Sequence, residues 1–220
     1  MNWIVRAVFV GMAATCVCSA QTISKKAGSH SVIWSPPRFH WPEVQIPSTV
    51  SKEMIGKLRI ANFQVIIENT HLEAARKRFG GTIGYRGDGG DSESWLCLRG
   101  SDADGPWIFW LTGGELDGPA ISGFQWRRLP SNEGPDRRCG LIPPDNGGIE
   151  LPLALHPGMT ESEMRKTLGK PSFVSGKTLI YRHEHQETIH NLPYSSDNLI
   201  AIVLRDGIVL AIEVSKSTSD

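Results

Sequence analysis

The sequence predicts an α+β fold of two tandem repeats, each a short helical segment packed on an antiparallel β-sheet of three to four strands. Three observations predict it. Residues 160–168 spell out a helix with both ends marked. A weaker copy occupies 70–79, ending in Phe79-Gly80 where the later one ends in Leu168-Gly169. Each helix is followed by three segments of strand character, and self-similarity of this kind marks repeated supersecondary units.

Residues 1–20 carry one positive charge, Arg6, then an apolar run over 7–17 and the small residues Cys18-Ser19-Ala20. That pattern predicts a secretory signal cleaved after Ala20. The run is too short and too early for a membrane span, and no later segment is apolar enough to make one. A lipoprotein signal is the competing reading. Cys16 and Cys18 lie at about the right depth but follow Thr15 and Val17, where lipid attachment uses Gly, Ala or Ser.

Loss of the leader leaves Cys97 and Cys139 of the four cysteines. In an oxidising compartment such a pair is expected to form a disulfide. The formal net charge is +0, which gives no support to nucleic-acid or anionic-membrane binding. The expected location is periplasmic or secreted.

Residues 21–57 read as a Pro/Ser-rich tail, with Trp34, Phe39 and Trp41 scattered among Pro36, Pro37, Pro42 and Pro47. The first repeat spans 58–130. It has an apolar lead-in (Ile60, Phe63, Val65, Ile67), a helix starting at Thr70, and a polar glycine-rich loop from Tyr85. Strands follow at 94–99, 107–112 and 121–129. Residues 131–148 form a linking loop that carries Cys139, pinned to the first sheet if Cys139 reaches Cys97.

The second repeat spans 149–217. Thr160 is its N-cap, with Glu163 three residues on in the spacing of a capping box. Met159 and Met164 have the spacing of a hydrophobic staple, and Met164 and Leu168 share one face. Gly169 supplies a left-handed end, and Pro171 forbids continuation. Strands are expected at 178–184, 199–204 and 208–214, the last two joined through Asp206-Gly207, a tight-hairpin signal.

These residues carry a resemblance. Leu155-His-Pro-Gly-Met-Thr, then Met164, Leu168-Gly169 and Pro171, is similar to the module of BamE/SmpA-type outer-membrane assembly lipoproteins. Two such modules in tandem resemble the β-lactamase inhibitory protein fold. The likeness is good over 151–214 and weak over 58–129, where the first repeat lacks Gly-Met. It implies a curved sheet backed by helices and says little about function.

No residue is assigned a catalytic role and no cofactor is expected: the phosphate-loop, dinucleotide and Gly-x-Ser-x-Gly patterns are missing from the sequence. His183, His185 and His190, beside Glu184 and Glu187, are the first suspects for a metal, since residues 183 and 185 of a strand project to one side. A solvated polar hairpin is the plainer reading, and no metal ligand is assigned. Asp102-Ala-Asp-Gly and Asp88-Gly-Gly-Asp-Ser-Glu lack the full ligand series of a calcium loop and read as turns. The tryptophans are the better clue. Trp107-Ile-Phe-Trp-Leu is apolar on both faces of its strand, with Trp107 and Trp110 pointing opposite ways. Trp107 and Trp110, with Trp95 and Trp126, are therefore the candidate binding residues for a protein partner, the competing reading being cover from within the chain. The expected function is a non-catalytic protein-binding or envelope-scaffolding module. An inhibitor of an envelope or extracellular hydrolase and a small metal-dependent enzyme using residues 183–190 are the alternatives.

Overall fold

The structure, a computed structural model, describes residues 31–38, 44–51, 53–88, 92–114, 119–143, 147–189 and 192–219. The predicted leader, 1–20, lies outside them, as does His190.

The elements run β1 (Ser31–Ile33), β2 (Lys57–Ile60), β3 (Phe63–Ile66), α1 (Leu72–Phe79), β4 (Ile83–Arg86), β5 (Glu93–Asp102), β6 (Gly105–Gly114) and β7 (Gly123–Arg128). Then come β8 (Glu133–Pro135), β9 (Gly140–Leu141), β10 (Ile149–Glu150), α2 (Glu161–Leu168), β11 (Phe173–Ser175), β12 (Thr178–Ile189), β13 (Leu192–Arg205) and β14 (Ile208–Ser219).

Two separate helix-backed sheets do not form. The protein is mostly β, and most of its strands join one nine-stranded sheet in the order β11-β12-β13-β14-β7-β6-β5-β4, with β9 parallel beside β5. The seam lies where β14 meets β7, Ala211–Ser215 running antiparallel to Arg127–Gly123. Left apart, each half would have exposed a row of unpaired N–H and C=O groups, and joining the edges satisfies them. A second observation dissolves the repeat boundary. Ile149 and Glu150, expected to open the second repeat, pair with Ile60 and Arg59 in a small sheet, β10-β2-β3.

The helix of the second half forms as its residues dictate. Thr160 Oγ1 accepts from the Glu163 N–H at 3.2 Å, and the Glu163 carboxylate accepts from the Thr160 N–H at 2.9 Å. Gly169 at φ 79° ends it. Met164 is fully buried, and Leu168 packs at the margin of the same core as Tyr181, Ile200, Ile202 and Val209. The Tyr181 hydroxyl donates to the Gly169 carbonyl at 3.3 Å, and burial pushes the phenol up to about 12. The earlier helix differs. Its N-cap is His71 with no side-chain cap, while Thr70 Oγ1 accepts from the Ile66 N–H of the preceding turn. The Thr70–Glu73 box therefore does not form. Tyr85 and Arg86, expected in a loop, belong to β4.

The large sheet has two covered faces. One, the helix face, meets α1, α2 and the small sheet through residues such as Ile55, Val65, Phe109, Phe124, Tyr181 and Ile212. The other is covered around Trp110 by a strap, residues 31–38, whose β1 pairs in parallel with β8. Farther along this face Ile46 packs on Ile180 and Ala201. Asp206 and Gly207, at φ 53° and 76°, make the tight turn between β13 and β14 that their sequence predicts.

Candidate functional site

Trp107 and Trp110 lie on opposite faces of β6. Trp107 stands edge-on to Trp126 at 6.3 Å in the helix-face core, beside Phe109. Trp110 and Trp95 lie on the strap face with Cys97, Ile108, Leu129 and Cys139. All four tryptophans are buried, none more than 4% exposed. Their cover comes from this chain. Two glycines make the room: Gly84 pairs across the sheet with Trp95, and Gly100 with Trp107. A Cβ at either glycine would come within 2.3 Å or 2.2 Å of the indole, so each ring lies flat on bare backbone.

The strap face is built around polar capture of the strap's backbone. Trp110 Nε1 donates to the Trp34 carbonyl at 2.8 Å, Arg86 Nη1 to Pro36 at 2.7 Å, and Gln125 Nε2 to Pro37 at 3.1 Å. Ser35 and Pro36 each precede a proline, so the backbone is held extended there and its carbonyls have few competing partners. The Trp34 ring stands edge-on to Trp95 at 5.2 Å, and the Arg138 guanidinium lies 3.7 Å over its centre. Asp136 orients Arg138 by a bidentate ion pair, which holds its own carboxyl down at about 2. Arg86 is fixed by Glu93 and sits 5.4 Å over Trp95. The disulfide Cys97–Cys139, predicted from the sequence, forms and spans 42 residues. It ties the loop bearing Arg138 and β8 to the strand bearing Trp95, so one covalent bond sets both walls of the strap's seat.

Beyond Pro37 the seat continues into a cavity of about 160 Å³ lined by Arg38, Trp110, Gln125, Val203 and Glu213. Glu213 is half-buried on β14, and desolvation pushes its carboxyl up to about 8; nearby Glu93 adds to the shift and Arg86 opposes it.

No family model, curated protein or solved structure matches this chain. The likeness of residues 155–171 to the BamE/SmpA module thus rests on that run of residues alone.

The other sequence candidates resolve as follows. His183 and His185 stack with ring centres 6.3 Å apart, and His183 Nδ1 is hydrogen-bonded to the Val50 carbonyl at 2.7 Å. Among the described residues, no group of three His, Cys, Asp or Glu side chains is placed to share a metal. Asp102 and Asp104 are both ion-paired to Arg128, which also donates to the Gly105 and Pro157 carbonyls. Their turn is therefore a structural arginine clamp.

Sequence reasoning missed one feature altogether. The β12–β13 rungs run out to Ile189↔Leu192, whereas β14 accompanies β13 only as far as Ser195↔Ser219. On the opposite edge, β11 covers β12 only over residues 178–180, and residues 48–50 hydrogen-bond to Arg182 and Glu184. Beyond Glu184, therefore, the outer edge of β12 has no neighbour among the described residues, and β14 is described only as far as Ser219, opposite Ser195. Leu192, 53% exposed, stands near the tip. The polar run 183–190 hid this ribbon, because periodicity shows a strand but not how far its neighbours extend.

Proposed function

We propose that this is an exported, non-catalytic protein-binding module that engages its partner through the β12–β13 ribbon. The observation that carries this reading is the outer edge of β12, which has no neighbour beyond Glu184 among the described residues. Strand edges with free N–H and C=O groups are templates for an added strand. Pro193 on β13 disfavours pairing along that strand, which leaves the β12 edge as the side that accepts a partner. The disulfide supports export, because such bonds persist in oxidising compartments. Among the described residues, no helix is long and apolar enough to cross a membrane.

The test is a shortened ribbon. His185 and Ser196 face each other across one rung, so residues 186–195 can be replaced by Asn-Gly, which suits a two-residue turn. The shortened protein should keep its fold and its resistance to urea while losing the partners that the wild type captures from an envelope or extracellular fraction. Undiminished capture by the shortened protein would refute the proposal.

A further inference from the structure

The strap's seat lies on a different part of the sheet from the end of the β12–β13 hairpin. We propose that it is a recognition groove for extended, proline-containing peptides of the form Trp-x-Pro-Pro, and that residues 34–38 are its occupant in cis. Four observations carry this. The three capturing donors, on Trp110, Arg86 and Gln125, all read main-chain carbonyls, so they select extended backbone and not one particular strap. Prolines pre-set that backbone and lower the ordering cost of binding. The slot between Trp95 and Arg138 takes an aromatic ring two residues before the first proline, as Trp34 shows. The groove also runs on past Pro37 into the cavity that Arg38 and Glu213 both line, which leaves room for a long side chain following the prolines.

The cis occupant does not use the whole site. Among the described residues, the buried Trp95 Nε1 of the groove wall finds no acceptor. A donor buried without a partner costs free energy that a ligand able to supply an acceptor would recover. The strap is attached to its own groove, so a competing peptide works against an effective concentration on the order of millimolar. Wild-type protein should accordingly bind free peptide weakly, and a protein with a weakened strap should bind it well.

The experiment uses the full mature chain and a fluorescent peptide of residues 31–38. Trp34→Ala empties the aromatic slot and should raise peptide affinity by about tenfold over wild type, by removing cis competition. Gln125→Ala added to Trp34→Ala should lower that affinity again by about fivefold, the loss of one hydrogen bond. The same peptide with both prolines replaced by alanine should bind measurably less well. Where the Trp34→Ala chain is folded, no saturable binding up to about 1 mM, or equal binding of the alanine peptide, overturns the proposal. Should Trp34→Ala fail to fold, the wild type decides the matter by hydrogen exchange. Excess peptide should speed exchange of the Ser31 N–H, bonded to the Asn132 carbonyl, and of the Asp136 N–H, bonded to Ile33. Unchanged exchange at both amides overturns the proposal.

Discussion

Reducing the Cys97–Cys139 bond should destabilise the protein by about 4 kcal/mol. The two cysteines are 42 residues apart, and closing a loop of that length removes about 13 cal/mol/K from the unfolded chain on the loop-entropy model. At room temperature that is about 4 kcal/mol. Both half-cystines are buried, and reduction leaves their volume almost unchanged, so little cavity cost is added. The assay is urea unfolding followed by tryptophan fluorescence, with and without a phosphine reductant. With a slope of about 2–3 kcal/mol/M, the midpoint should fall by roughly 1.5 M. Cys97→Ala with Cys139→Ala should match the reduced protein to within about 1 kcal/mol, the extra loss coming from two missing sulfurs. A midpoint shift below about 0.3 M would refute the reasoning, since it would mean that the unfolded chain is already confined without the bond. Reduction should also loosen the strap before the sheet, because β8 and Arg138 belong to the loop that the bond pins.

Three further outcomes are expected. Met164→Ala, which empties a fully buried position under Tyr181, should cost about 2–5 kcal/mol in the same urea assay. Thr160→Ala should cost about 1 kcal/mol by removing the capping box, whereas Thr70→Ala should leave α1 uncapped as before and act only through the Ile66 turn. The Glu213 carboxyl binds its proton more tightly folded than unfolded. Its contribution to stability is therefore complete below the ordinary carboxylate value and is lost as pH rises through about 8. Thermal melts of the wild type should fall over that range, and Glu213→Gln should flatten the fall.

The sequence carried the elements better than their assembly. Thr160, Glu163 and Gly169 determine a helix by local hydrogen bonds and one left-handed residue, so it could be read residue by residue. Asp206-Gly207 did the same for its hairpin. The seam between β14 and β7 depends on residues 84 to 92 positions apart, and nothing local in either strand names its neighbour. The tryptophans show the limit from the other side. Apolar residues on both faces of β6 correctly required two covers, but an outside partner and an inside one leave the same pattern. Gly84 and Gly100 were the available signal, because a bare residue opposite each indole provides a seat within the chain. Pro36-Pro37 likewise marked an extended segment, without the Arg86, Trp110 and Gln125 side chains that receive it.

The place of β14 bears on how the chain matures. It lies between β13 and β7, so the edge of residues 123–128 stays open until residues 208–219 have been made. A chain emerging from its N-terminal side must hold that apolar ribbon unpaired while the intervening stretch follows. Such long-range closure is slow and exposes a surface prone to aggregation. The partly synthesised chain is the vulnerable species, and a holdase would matter most during that interval. Synonymous changes that lengthen the interval would then lower yield without altering a single native contact.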